Sequence, residues 1–337
     1  MHIIAFVESV EHVCCRYRIA AFNDIWKRAG HRLEFVAIPR GFFARARMMR
    51  KLRGADVVIV QRKFFNVLES QMLRQACRKI VFDFDDALWL RDSYSAKGFE
   101  SASRLRGFRR MMKLADVVVA GNTILAEQAK QFHHRDSVHI IPTCINLEQY
   151  PLPPRKSDKP LSLVWIGSSS TLQGIEQRRD LWERIGQEVP GIRLKIICDR
   201  FPQFQHLPVD VVPWNEATEA AELASADIGI GWVPDDPWSR GKCGLKLLQY
   251  HTAGLPVIAN PVGVQAEIVR HGETGLLATT DEEWIAAVKQ LAADAEERAQ
   301  FGSAGREQVE MRYSLEAGGR LWAELLARLA VSTGFRA

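Results

Sequence analysis

The chain has 337 residues, longer than one hydrophobic core usually grows, so two domains are expected. Apolar residues make up 47% of it, which excludes a disordered polymer. A net charge of +5 is mild: it suits an anionic ligand or an anionic membrane surface, and it is too dispersed for a dedicated nucleic-acid binder.

The chain opens with HIIAFVES, a buried strand, and YRIAAFNDIWKRAG reads as the helix after it. RLEFVAI, ADVVIVQR, KIVFDFDD, ADVVVAGN and VHIIPT repeat the pattern of an apolar run followed by a helical segment. Such runs belong to parallel strands covered on both faces, so residues 1–150 are expected to form one doubly wound α/β domain. Residues 151–160, within YPLPPRKSDKP, read as a linker, because proline and charge leave too little apolar surface for a buried element. The strand pattern restarts in 161–314 with LSLVWIGS, IRLKIICD, VDVVPW, ADIGIGWV, LPVIANPVG and GLLA. Asp281 to Arg298 carries Trp284, Ile285, Val288 and Leu291 at helical spacing. The last segment, 315–337, reads as a helix that can pack on either domain. The expected architecture is therefore two Rossmann-like doubly wound α/β domains facing a central cleft, with ligands at the carboxyl ends of the strands.

The six cysteines form no CxxC pair, which fits a reduced, cytoplasmic setting. Glu8 and Glu11 stand soon after the first strand, so the basic-then-apolar order of a signal peptide is lacking. No apolar run approaches the length of a membrane span. Arg40 to Arg53, RGFFARARMMRKLR, mixes cations with Phe42, Phe43, Met48, Met49 and Leu52. It reads as a crossover helix covering the sheet, or as a basic amphipathic surface peripheral to the inner face of an anionic membrane.

Lys246 in GLKLLQY is the strongest candidate for chemistry. If the neighbouring leucines pack inward, its ammonium and the amides of the helix start can hold a diphosphate. Arg240 and Lys242 lie just upstream as further cations, and Gln249 can serve a ribose or sugar hydroxyl. Gly167 permits close backbone approach, and Ser168, Ser169 and Ser170 offer hydroxyls and amides at a strand end. In the first domain, Arg16 and Arg18 suit an anionic substrate, His12 borders the first loop, and Asn122 is either a helix cap or an acceptor contact. Asp86 lies at the end of the FDFDD strand, placed to meet a hydroxyl. No further ligand group accompanies these aspartates, so no metal is expected.

These segments also carry a resemblance. CGLKLLQYHTAGLPVIANPVGVQAEIVRHGETGLLA, with RYRIAAF, FDFDDALW, ADVVVAGNTILAEQA and IIPTCIN, resembles the retaining GT-B glycosyltransferases of the large family 4 / group 1 type. The resemblance implies transfer of a sugar from a nucleotide diphosphate sugar, held by the second domain, to a hydroxyl on a glycan, glycolipid or small-molecule acceptor held by the first. It implies that Lys246 meets the diphosphate, with no tightly bound cofactor. Asp86, Lys246 and Arg240 are the expected catalytic set. The family's two glutamates are replaced by Gly241 and Gln249, and its arginine and lysine after the first strand of the second domain by Ser168 and Gln173. Two competing readings stay open: a nucleotide-sugar epimerase, and a nucleotide- or glycan-binding protein weakened in catalysis.

Overall fold

The computed structural model describes residues 1–150, 152 and 160–332, so the expected linker, Leu152 and Pro160 apart, lies outside the described residues. The chain divides into two compact units. Unit 1 comprises Met1–Cys144, the short segment Arg240–Cys243 and the stretch from Leu315 on; unit 2 comprises Ile145–Ser239 and Gly244–Ser314.

Unit 1 is built on β1 (His2–Val7), β2 (Arg32–Ala37), β3 (Val57–Gln61), β4 (Lys79–Phe84), β5 (Val117–Ala120) and β6 (Val138–Ile140). They form one sheet in the order β2-β1-β3-β4-β5-β6, parallel throughout. β1, β3, β4 and β5 are buried almost end to end, as their unbroken apolar runs require. The first expected helix is broken into Val13–Arg18, a 3-10 turn at Ala20–Phe22 and Asn23–Arg28. The break turns Phe22 and Trp26 into the core, where Trp322 of the terminal helix Leu315–Ser332 meets the Trp26 ring at 5.1 Å. That helix therefore packs on unit 1, and its Leu325, Leu326 and Leu329 close the core beneath β1 and β3.

Unit 2 holds β7 (Ser162–Ile166), β8 (Arg193–Cys198), β9 (Val209–Pro213), β10 (Ile228–Gly231), β11 (Val257–Ala259) and β12 (Gly275–Leu277). The sheet order is β12-β11-β10-β7-β8-β9, again parallel. This is the strand order of a dinucleotide-binding sheet, with its switch point between β7 and β10. The core gathers Trp165, Trp182 and Trp284, the last two edge to face at 5.6 Å. The helical pattern read through Arg298 is two helices, Asp281–Ala293 and Ala295–Arg312. Asp294 breaks it: its carboxylate accepts from the Glu297 amide at 2.9 Å and caps the second helix.

His251 is fully buried in unit 2, and burial pushes its pKa down from 6.5 to about 4. It is therefore neutral in the fold. Its contribution to stability is present above pH 6.5 and is lost as pH falls from there toward about 4. The full loss is about 3 kcal/mol. Burial lowers His31, His133 and His139 in the same direction, so they share the acid loss. We expect denaturant unfolding followed from neutral pH to about 4 to show His251→Leu taking up about one proton fewer on unfolding than wild type. An identical pH slope would contradict this.

Candidate functional site

In unit 2 the helix Leu245–Thr252 carries the lysine to the carboxyl end of β7. Gly244 starts this helix at φ +69°, a left-handed conformation that other residues adopt only with strain. Leu247, Leu248 and Tyr250 point into the core, and the Tyr250 hydroxyl accepts from the amide of Ile166 at 3.1 Å. The helix thus fixes the end of β7 while Lys246 stays half-buried. Its ammonium lies 4.0 Å from the centre of the Trp165 ring and donates to Thr171 Oγ1 at 3.2 Å. Gly167 leaves room for that ammonium, since a Cβ there would come within 2.6 Å of Nζ.

The serines after β7 divide in role. Ser168 and Ser170 are exposed, their hydroxyls 2.8 Å apart. Ser169 is held differently from the expectation of a phosphate contact. Its amide and hydroxyl donate to Asp199 at 2.7 and 2.8 Å, and these bonds keep the Asp199 carboxyl below its ordinary range. A carboxylate already occupies the position that Ser169 would offer to an anion. Gln249 also departs from its expected place on a ligand hydroxyl. It is 4% exposed, and its amide donates to the Tyr150 hydroxyl at 3.1 Å, which leads on to Glu219. A side chain facing into this packed polar chain presents no open edge.

In unit 1 the carboxyl ends of β3 and β4 carry a dense charge network. Arg62, just after β3, is the non-glycine residue with φ in the left-handed region, at +56° among the described residues. Its guanidinium pairs with Asp85, reaches Asp86 Oδ2 at 2.8 Å and donates to Cys14 Sγ at 2.9 Å. Burial opposes the Arg62 charge, but Asp85 and Asp86 outweigh it and raise its pKa. Burial pushes the Asp86 carboxyl above its ordinary range, against the pull of Lys242 and then Arg62. Asp85 goes the other way: Arg62 and Arg18 overcome its burial. The thiols of Cys14 and Cys243 are pushed up by burial and stay neutral.

Arg18 was expected to meet an anionic substrate, and the structure corrects this. Arg18 is 2% exposed and grips Asp83 with Nε at 3.1 Å and Nη2 at 2.5 Å, while Nη1 donates to the Ile141 carbonyl. A fully buried guanidinium needs such a partner, and the pair lies inside the unit. Arg16, half-buried, lies over the Tyr17 ring at 5.3 Å. His12 caps the helix Val13–Arg18, its Nδ1 accepting from the Cys14 amide at 3.3 Å. Asn122 is the cap of the helix Thr123–Lys130, as the Leu125 amide donates to its Oδ1 at 2.9 Å. Its Nδ2 donates at 3.1 Å to the carbonyls of Gly241 and Lys242, so it clasps the Arg240–Cys243 segment instead of pointing at an acceptor.

That segment is counted with unit 1, and the charge of Lys242 acts on Asp86 there. Arg240 is exposed on the 3-10 turn Ser239–Gly241. The glycine at 241 has a steric reason: a Cβ there would lie 3.0 Å from Ala87 Cβ and 3.2 Å from Leu125 Cδ2. Gly241→Glu should therefore destabilise unit 1 by about 1–3 kcal/mol in denaturant unfolding. Stability equal to wild type would show that the segment yields.

Arg62 and Asp199 are the site residues that sequence reasoning passed over. Both follow an apolar strand, the signal that marked Asp86 and Gly167, but a left-handed arginine leaves no mark in composition. Among the described residues no group of three or more His, Cys, Asp or Glu could hold a metal ion, and no helix is long and apolar enough to cross a membrane.

Residues 237–308, which include Lys246, match the family described as glycosyl transferases group 1. No curated protein matches the chain. Solved structures resemble it along nearly its whole length. Sucrose-phosphate synthase from Thermosynechococcus elongatus has a TM-score of 0.72 at 16% identity, covering 98% of this chain and 100% of that one. A glycosyltransferase from Rickettsia africae has a TM-score of 0.72 at 13% identity, covering 97% and 98%. Anabaena HepE, solved in complex with UDP-glucose, has a TM-score of 0.67 at 15% identity, covering 97% and 100%. The chain thus has the two doubly wound sheets of the GT-B fold, and its segment 237–308, which carries Lys246, is similar to the glycosyl transferases group 1 family.

Proposed function

We propose that the chain transfers a sugar from a nucleoside diphosphate sugar to an acceptor hydroxyl, with retention at the sugar carbon. The observation that carries this reading is Lys246, whose ammonium lies beside Gly167 at the end of the switch-point strand β7. UDP and UDP-glucose, found with Anabaena HepE, are the first donors to try.

As the glycosidic bond breaks, positive character grows on the sugar and negative charge on the departing phosphate. A lysine aimed at that phosphate accelerates the step by binding it more strongly as its charge develops. The departing phosphate oxygen takes the proton of the attacking hydroxyl on the same face, so no histidine base is needed. Asp86 receives a hydrogen bond from the acceptor hydroxyl, with Arg62 and Lys242 holding the carboxylate. Arg240, Ser168 and Ser170 are exposed donors at the edges of their units and complete the proposed set with Arg16 and His12. The acceptor is a glycan, a glycolipid or a small hydroxyl compound, met at the inner face of an anionic membrane.

Calorimetric titration tests the donor half. UDP and UDP-glucose should bind saturably, and uridine at least about tenfold more weakly, because a diphosphate contact carries more than 1.4 kcal/mol. Equal affinity for uridine and UDP would remove Lys246 from the phosphate.

A further inference from the structure

The carboxyl edge of the sheet in unit 1 carries an apolar tip at the start of a basic crossover. β2 and β3 are parallel members of one sheet, and each leads at its carboxyl end into a helix, Phe42–Met49 after β2 and Val67–Ala76 after β3. The two helices pack on one another. Arg45 ties their first turns together, with Nε donating to the Pro39 carbonyl at 2.9 Å and Nη1 reaching Glu69 Oε1 at 3.2 Å. Glu69 in turn shares a capping box with Asn66 at the start of the second helix.

These first turns expose large apolar side chains. Phe43 is 86% exposed, Leu68 60%, Val67 56% and Phe42 38%, while Met48, Met49 and Leu52 are buried beneath the first helix. The sheet is thus already covered, and Phe43, Val67 and Leu68 stand largely outside the core, with the Phe42 ring edge to face against Phe43. Along the same crossover, residues 40–53 hold six cations and no acid; exposed Arg40 and Arg47 flank the tip, while exposed Arg50, Lys51 and Arg53 stand at the far end, toward the start of β3.

We propose that Phe42, Phe43, Val67 and Leu68 form a tip that inserts into an anionic phospholipid bilayer, with Arg40 and Arg47 beside it on the headgroup phosphates. This deepens the peripheral membrane contact in the functional reading by naming its surface, and it does not depend on sugar transfer. A bilayer offers both partners at once: hydrocarbon for the aromatic and aliphatic tips and phosphate for the cations. A second copy of the chain fits worse, because a two-fold contact through this face sets one group of cations against the other. Docking also brings the carboxyl edge that carries Arg62, Asp85 and Asp86 toward the headgroup layer.

The test is sedimentation of the full chain with vesicles of phosphatidylcholine alone or with about a third phosphatidylglycerol, at low and high salt. Wild type should bind the anionic vesicles at least about tenfold more tightly than the neutral ones, and lose most of that in high salt. The double variants Phe42→Ser with Phe43→Ser, and Val67→Ser with Leu68→Ser, should each weaken binding by about tenfold or more. Arg40→Gln with Arg47→Gln should weaken it by about tenfold too, and serves if an apolar variant fails to fold. Equal or absent binding to both vesicle types, or variants that bind like wild type, would overturn the proposal. So would a lipid-free dimer that the same variants dissociate without any vesicle binding. The assay contains no sugar donor, so a chain that transfers nothing still answers it. A chain that binds no vesicle can still glycosylate a water-soluble acceptor.

Discussion

Lys246→Ala is expected to lower the turnover of sugar transfer by about a hundredfold to a thousandfold, with little change in thermal stability. The size follows from charge. In the proposed reaction the departing diphosphate gains negative charge in the transition state, and a half-buried ammonium set beside it would interact more strongly than one in bulk water. Stability is spared because the packing of this helix comes from Leu247, Leu248 and Tyr250, not from the lysine. The substitution removes a contact to the Trp165 ring and a bond to Thr171, both replaceable by water at a half-buried position. Steady-state kinetics should place the loss mainly in kcat, since the interaction strengthens as charge develops. A folded variant with kcat near wild type would take the lysine out of the chemistry.

Arg18→Met is expected to destabilise the protein by about 3–5 kcal/mol, a large part of the about 5–15 kcal/mol that folded domains have. The substitution leaves Asp83, fully buried, without its main counter-charge, although Gln61 still donates to it at 3.2 Å. Adding Asp83→Leu should restore most of the loss, because a buried ion pair and an apolar pair of similar size differ little in net stability. Denaturant unfolding of wild type, the single variant and the double variant measures this directly. A single variant as stable as wild type, or a double variant no better than the single, would mean that the pair does not hold unit 1 together.

The fold was readable because parallel strands buried on both faces are continuous apolar runs, and HIIAFV, VVIVQ and KIVFDF are such runs. Lys246 was readable because its neighbours in GLKLLQY are apolar at helical spacing, which leaves it the polar direction. Asp86 was placed correctly at a strand end, but its partner was not, because Arg62 reaches it through a left-handed backbone. Arg18 was misjudged for a related reason. From the sequence it is one of two arginines near the start of the first helix, and only the chain fold brings Asp83, 65 residues away, against it. Gly241 looks in the sequence like a lost family glutamate. In the fold it is a close approach to Ala87 and Leu125, two residues far off in the chain. Local periodicity is legible because it repeats every few residues; pairing across a sheet edge is not, because no neighbouring residue encodes it.

Glycosyl transfer is tested most directly by mass-resolved turnover of the best-bound nucleoside diphosphate sugar against a panel of glycan, glycolipid and small hydroxyl acceptors. The expected result is an acceptor product heavier by one glycosyl residue, with one nucleoside diphosphate released per linkage and much less of both from Lys246→Ala. A donor that is saturably bound yet isomerised, or left unchanged with every acceptor, would contradict it.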